Sequence, residues 1–181
     1  METQHVSIRT EQDTDCGVIS DVTKSAFETI EISNQTEPFI IAALRSAQAL
    51  TISLVAEVKG RVAGHIAFSP VTMSDGTKDW YGLGPVSVRP EFQRKGIGKA
   101  LIQEGLSRLR NRNAKGCCLV GHPEYYRQFG FKNVEGLVYA GVPQEVFFAL
   151  SFDGDIPHGN VIFHEGFKAS GPVDGKSPLP E

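Results

Sequence analysis

The stretch Val86-Ser87-Val88, Arg89-Pro90-Glu91-Phe92 and Gln93-Arg94-Lys95-Gly96-Ile97-Gly98-Lys99-Ala100 constrains this chain more than any other. A strand runs into a short loop, and the loop opens an amphipathic helix. Ile97, Ala100, Leu101, Leu106 and Leu109 keep helical spacing to about Arg112. The glycines stand at the start of this helix, not at its end. First-turn amides have no internal acceptor and carry the positive end of the helix dipole. Phosphate oxygens supply acceptors there, and glycine lets a backbone approach them with no Cβ in the way. Arg94, Lys95 and Lys99 add positive charge. The unit reads as a site for a pyrophosphate-like group; for a G-x-G alone, a tight strand-to-helix connection is the competing reading.

Two other phosphate loops fail on residues. A Walker loop needs G-x-x-x-x-G-K-[ST], but Gln93 holds the first glycine position and Ala100 follows Lys99, so no hydroxyl is offered to magnesium. A dinucleotide fingerprint needs a last Gly or Ala where Leu101 stands, and it follows parallel units rather than hairpins.

Hairpins precede the motif. Ile52 to Val58, Val62 to Met73 and Trp80 to Val88 read as strands, joined by turns at Lys59-Gly60-Arg61 and Ser74-Asp75-Gly76-Thr77. They predict a three-stranded antiparallel meander. Before them, Val6 to Arg9 alternates as a short strand. A helix is expected from Thr10, read as its cap, to about Glu28, and a second after Thr36-Glu37-Pro38. Beyond the motif helix come a buried strand at Cys117 to Val120 and a short helix from Pro123 to Phe129 ended by Gly130. Strand-like segments follow at Leu137 to Tyr139, Val146 to Phe152 and Val161 to His164. The expectation is a mixed α+β, three-layer fold: one domain over residues 1–168, and a Gly-, Pro- and Ser-rich tail over 169–181 expected to be disordered.

Composition narrows the function. A net charge of −3 over 181 residues argues against a nucleic-acid partner. Met1 to His5 lacks the basic start and apolar stretch of a signal sequence, and no run reaches membrane-spanning length. The expected place is the cytoplasm, with no membrane partner. Cys16, Cys117 and Cys118 suggest no disulfide framework, and Cys117 and Cys118 fit a core strand. No metal motif is found.

The segment Gln93-x-x-Gly96-x-Gly98 resembles the coenzyme A-binding motif Q/R-x-x-G-x-G/A of the GNAT acetyltransferases, and the order of elements is similar to theirs. Gly64 to Val71, Gly121 to Phe131 and Gly159 to His164 more narrowly resemble the YhbS-like subgroup of predicted N-acetyltransferases. Gln128 departs from that pattern, where a basic residue is expected. The resemblance spans about residues 6–167 and implies the GNAT acyl-CoA N-acyltransferase fold, with a central, mostly antiparallel sheet and flanking helices. It also implies acetyl-CoA as acyl donor, with no metal, and an unidentified primary amine as acceptor. Homodimers are common in the family, though no residue here decides assembly.

Residue by residue, the resemblance gives the pantetheine arm to the backbone of Val86, Ser87 and Val88, with Gly84-Pro85 suited to splaying that strand. It gives the pyrophosphate to the backbone of Arg94, Lys95, Gly96, Ile97, Gly98 and Lys99, after Gln93. Tyr126, four residues before Gly130, matches the tyrosine that protonates the departing thiolate; a core aromatic is the plainer reading, and Tyr125 is the second candidate acid. The Val88 N–H is the donor expected to polarise the thioester carbonyl. The general base is left open among Glu57, His65, His122 and water, because Trp80 to Val88 holds no acid. Trp80 and Tyr81 read as packing, with an acceptor pocket as the alternative. Transfer of another acyl group, a silent coenzyme A sensor and an interaction scaffold are the competing functions.

Overall fold

The computed structural model describes residues 4–172 of the protein. Strands β1 (Val6–Thr10), β2 (Ile52–Val58), β3 (Arg61–Met73) and β4 (Trp80–Val88) lie side by side and antiparallel. Next to β4 comes β5 (Gly116–Val120), parallel to it, with β6 (Leu137–Val138) off the main path and β7 (Phe147–Ser151) antiparallel to β5. β8 (Gly159–Phe163) pairs with β6 and with the far end of β3. The expected meander is therefore present, extended by β1 at its outer edge. Lys59 and Gly60 both have positive φ (49° and 76°), as a two-residue hairpin turn with the twist of its strands requires.

Alternation along the strands makes two buried faces. On one, Leu54, Ile66 and Phe68 meet Ile97, Leu101, Ile102, Leu106 and Leu109 of helix α3 (Ile97–Asn111). On the other, Val55 and Val62 meet Ile19 and Val22 of α1 (Cys16–Phe27) and Ile41 of α2 (Glu37–Ser46). This is the expected three-layer arrangement. Two close approaches set α3 against the sheet. The Phe68 ring lies on Gly105, and Gly64 lies beneath Ile97 and Leu101, where a Cβ would come 3.0 Å from the Ser87 carbonyl oxygen. The start of α3 is thereby pinned beside the end of β4.

A second cluster holds Trp80, Cys118, Leu137, Phe147 and Val161. The Trp80 indole fills the space a side chain at residue 116 would need, so packing is the role the structure gives Trp80. Cys117 and Cys118 are fully buried, and burial raises both thiols well above their ordinary range.

Three expectations need correction or bounding. Thr10 does not cap a helix: it ends β1, opposite Leu54, because pairing with β2 captures its backbone. The α-helix starts later, at Cys16, after a 3-10 turn in which the Asp15 carboxylate accepts from the Gln12 N–H at 2.7 Å. Of the expected tail, residues 169–172 form neither helix nor strand, and 173–181 lie outside the described residues. Among the described residues no helix is long and apolar enough to cross a membrane.

Candidate active site

β4 and β5 begin as neighbours and then part. They pair only from Trp80 to Gly82 against Gly116 to Cys118. From Leu83 onward the β5-facing edge of β4 is free. The expected irregularity at Gly84-Pro85 is present: Ile66 pairs with Val86 and Phe68 with Leu83, so two residues of β4 oppose one of β3. Proline has no N–H to give a ladder, which suits it to a bulge where pairing stops.

The free edge has a readable polarity. The Arg89 N–H donates to the Ala63 carbonyl on β3 at 2.8 Å. Amide directions alternate along a strand. The Val88 N–H therefore points away from β3, into the parting between β4 and β5, and so does that of Val86. On this side the Val88 carbonyl accepts from the Gln93 side-chain amide at 3.0 Å. That side chain thus braces the loop against the strand end, which the sequence reading did not foresee.

The loop beyond has the geometry of an anion cradle. Arg94 and Gly96 both take positive φ (60° and 82°), with Gly96 at the N-cap of α3. The first helical bond is Ala100 N–H to the Gly96 carbonyl, 3.0 Å, so the amides from Gly96 to Lys99 have no helical acceptor. A cleft of about 550 Å³ opens over them, bordered by Val86, Val88, Arg94, Gly96, Gly98 and Lys99. No acidic residue lines it. The Ile97 side chain is buried in the core, so its backbone is what it offers a ligand. The Lys95 ammonium sits over the Phe92 ring, 5.7 Å from its centroid, and Lys95 does not line the cleft.

A second cleft, of about 510 Å³, shares Val86, Ser87, Val88, Gln93 and Tyr125 with the first. It continues between β4 and the end of β5 toward the α1–α2 connection. Tyr126 lines it from α4 (Pro123–Tyr126), which starts at Pro123 and passes through a 3-10 turn to Gly130 (φ 93°). The ring lies against Gly121, at a spot a Cβ there would occupy. Burial pushes the Tyr126 phenol up to about 12. The second candidate acid, Tyr125, stands with its ring edge-on to that of Tyr126, centroids 5.0 Å apart, and its hydroxyl reaches over Gly98, so it borders both clefts.

The candidate bases separate clearly. Glu57 is in an ion pair with Arg9 (2.9 Å), which also holds Asp15, and it lines neither cleft. His65 is fully buried, bonded to Ser53 Oγ at 2.7 Å, and burial pulls it down to about 4. It too is outside both clefts. It pairs with Val55, on the face under α1 and α2, whereas Ala63 joins the α3-side cluster because the register shifts beside it. Ser87, opposite His65 on β4, turns its hydroxyl toward Thr23 of α1, 3.4 Å away. His122 does line the second cleft. So does Glu37, at the start of α2, which no local pattern singles out: its meaning depends on the α1–α2 connection folding back over β4. Among the described residues no group of His, Cys, Asp or Glu could hold a metal ion.

Comparison with known proteins bears on the same segments. The family model for the Acetyltransferase (GNAT) family matches residues 18–131. The N-acetyltransferase YhbS of Escherichia coli K12, itself described as uncharacterized, is 31% identical over 126 residues, covering 69% of this chain and 72% of that protein. A GNAT family acetyltransferase from Brucella melitensis, solved in complex with acetyl-CoA, is 49% identical and superposes with a TM-score of 0.81 over 91% of this chain and 99% of its own. The Escherichia coli YhbS structure, in complex with CoA, is 28% identical with a TM-score of 0.84, covering 93% and 95%.

Proposed function

The chain belongs to the GNAT acetyltransferase family, and from that premise we propose that it moves the acetyl group of acetyl-CoA to a primary amine by direct attack within a ternary complex. The observation that carries this reading is the parting of β4 from β5. It leaves a free strand edge, an unpaired amide loop and a tyrosine around two clefts that share the strip from Val86 to Val88.

The first cleft suits the donor. Free amides from Gly96 to Lys99 and the charges of Arg94 and Lys99 complement a pyrophosphate. The open edge at Val86 and Val88 offers strand-like hydrogen bonds to the amides of a pantetheine arm. The thioester then falls near the Val88 N–H and Tyr126. The coenzyme supplies an acyl group already activated as a thioester.

The acceptor nitrogen, deprotonated, attacks the carbonyl carbon and forms a C–N bond. Negative charge gathers on the carbonyl oxygen, where the Val88 N–H stabilises it. The C–S bond breaks as that oxygen re-forms its double bond. The thiolate takes the Tyr126 proton, and the phenol is reprotonated from the amine through water. The balance is one ammonium and acetyl-CoA to one amide, free coenzyme A and a proton. A phenol raised to about 12 stays protonated and ready to donate across the physiological range. His122 and water are the proton routes the cleft offers. Residues 1–168 act as one acetyltransferase unit in this reading.

Thermal melts with acetyl-CoA test the first half, since a ligand bound only by the folded state raises the midpoint. Thiol release with a panel of amines tests the second. No shift and no thiol would refute the proposal.

A further inference from the structure

The acceptor side of the second cleft has a composition of its own. Seven large apolar side chains stand exposed among the described residues, and four of them rim this one cleft: Ile30, Ile32, Val120 and Tyr125. Ile32 is 94% exposed. Isolated exposed apolar residues need no explanation, but their gathering at one opening marks a binding surface. Within this wall stands one carboxylate. Glu37 Oε1 accepts from Ser33 Oγ at 2.6 Å, while Oε2 is enclosed and has no partner. Ser33 in turn accepts from the Gln35 N–H at 2.9 Å, so the carboxylate is held from behind by a hydrogen-bonded loop. No lysine or arginine lines the cleft, and none of the ion pairs among the described residues includes Glu37.

A carboxylate that lines a cleft with no cation paired to it is complementary to a cationic donor. The acceptor brings one, because a primary amine arrives as its ammonium. The apolar rim is complementary to whatever carries that amine. An α-carboxylate on the acceptor finds no lysine or arginine in the cleft. A second ammonium meets apolar side chains and no second acid. Resting on the acetyltransferase reading above, we propose that the acceptor is a small primary amine on an apolar or aromatic body, with its ammonium bound at Glu37. Glu37 and the Ile30–Ile32 rim are then the residues that determine acceptor specificity.

The test uses the full chain with acetyl-CoA saturating and thiol release as readout. The panel is 2-phenylethylamine, hexylamine, phenylalanine, spermidine and a short lysine peptide. The expected result is a kcat/KM for 2-phenylethylamine and hexylamine at least about ten-fold above the other three, the scale of one charge-assisted hydrogen bond. Glu37→Gln should raise KM for 2-phenylethylamine about ten-fold or more while the acetyl-CoA-induced melting shift stays as in the wild type. Ile32→Ser, at a fully exposed site, should narrow the preference for the apolar amines without changing the melting temperature. Equal or better turnover of spermidine, phenylalanine or the peptide overturns the proposal, as does an unchanged KM in Glu37→Gln. Calorimetry of 2-phenylethylamine against the coenzyme A-bound protein separates the two readings. Binding without thiol release refutes acetyl transfer and leaves the amine site standing; neither binding nor release overturns the amine site.

Discussion

Replacing Tyr126 by Phe removes one oxygen and keeps the ring that packs against Gly121. The residue is 9% exposed and lines the cleft where the thiolate would leave. No side-chain or backbone bond among the described residues involves its hydroxyl, so the change strands no partner. The expected effect on stability is within about 0.5 kcal/mol. The effect on turnover is of another size. General acid catalysis by a positioned group contributes about 10²- to 10⁴-fold, and that is the expected fall in kcat. Acetyl-CoA affinity should stay within about three-fold, since the hydroxyl meets the sulfur only as charge develops. Burial holds the phenol at about 12, so the wild-type rate should show no decline from loss of this proton below pH 10 or so. Steady-state thiol release from pH 6 to 10, beside calorimetric titration of acetyl-CoA, measures all three. A Tyr126→Phe enzyme with wild-type kcat would remove the residue from the chemistry. A wild-type rate that falls near pH 9, with the fall absent in the variant, would refute the account of its protonation.

Other perturbations follow the same geometry. Gly96 takes φ 82° with open space around the missing Cβ; Gly96→Ala should cost about 1–2 kcal/mol from the left-handed backbone alone, and Gly96→Glu should in addition abolish acetyl-CoA binding by calorimetry, with unchanged affinity excluding the loop as the phosphate site. Gly121→Ala places a methyl in the Tyr126 ring, so a loss of about 1–3 kcal/mol in denaturant melts and a fall in kcat are expected with Tyr126 still present; wild-type turnover would show that the ring position does not matter. Burial pulls His65 from 6.5 to about 4, so the unfolded chain binds the extra proton between those values and stability falls as pH drops through that window. At about 1.4 kcal/mol per unit the loss approaches roughly 3 kcal/mol. Denaturant melts at pH 7 and 4.5 should show a smaller difference for His65→Gln than for the wild type, and an equal difference would refute the assignment.

What could be read in advance was whatever a local pattern decides. Glycines at a helix start, after hairpins and with Ala100 and Leu101 in place of rival signatures, left a phosphate loop beside a tight connection, and the resemblance to the GNAT motif selected the first. The resemblance required the strand to splay, and Gly84-Pro85 was the local pair suited to it. What could not be read depended on contacts between distant segments. Thr10 and Asp15 both have capping chemistry, and only the pairing of β1 with β2 takes Thr10 away. His65 alternates with alanines whichever face it occupies, and the placement of α1 and α2 buries it. Glu57 is an acid like any other until Arg9 claims it. Glu37 opens α2 just after the exposed α1–α2 connection, and its unpartnered oxygen is visible only once that connection folds over the cleft.

The strip from Val86 to Val88 borders two clefts, one reached past the start of α3 and the other past the α1–α2 connection. Two bound molecules can then approach a common point without either blocking the other's exit. Initial-rate plots should give intersecting lines, and the order of addition need not be fixed. A single synthetic molecule joining coenzyme A to an arylalkylamine through a short acyl bridge would fill both clefts at once. It would bind far more tightly than either half, because the second half is delivered at high local concentration.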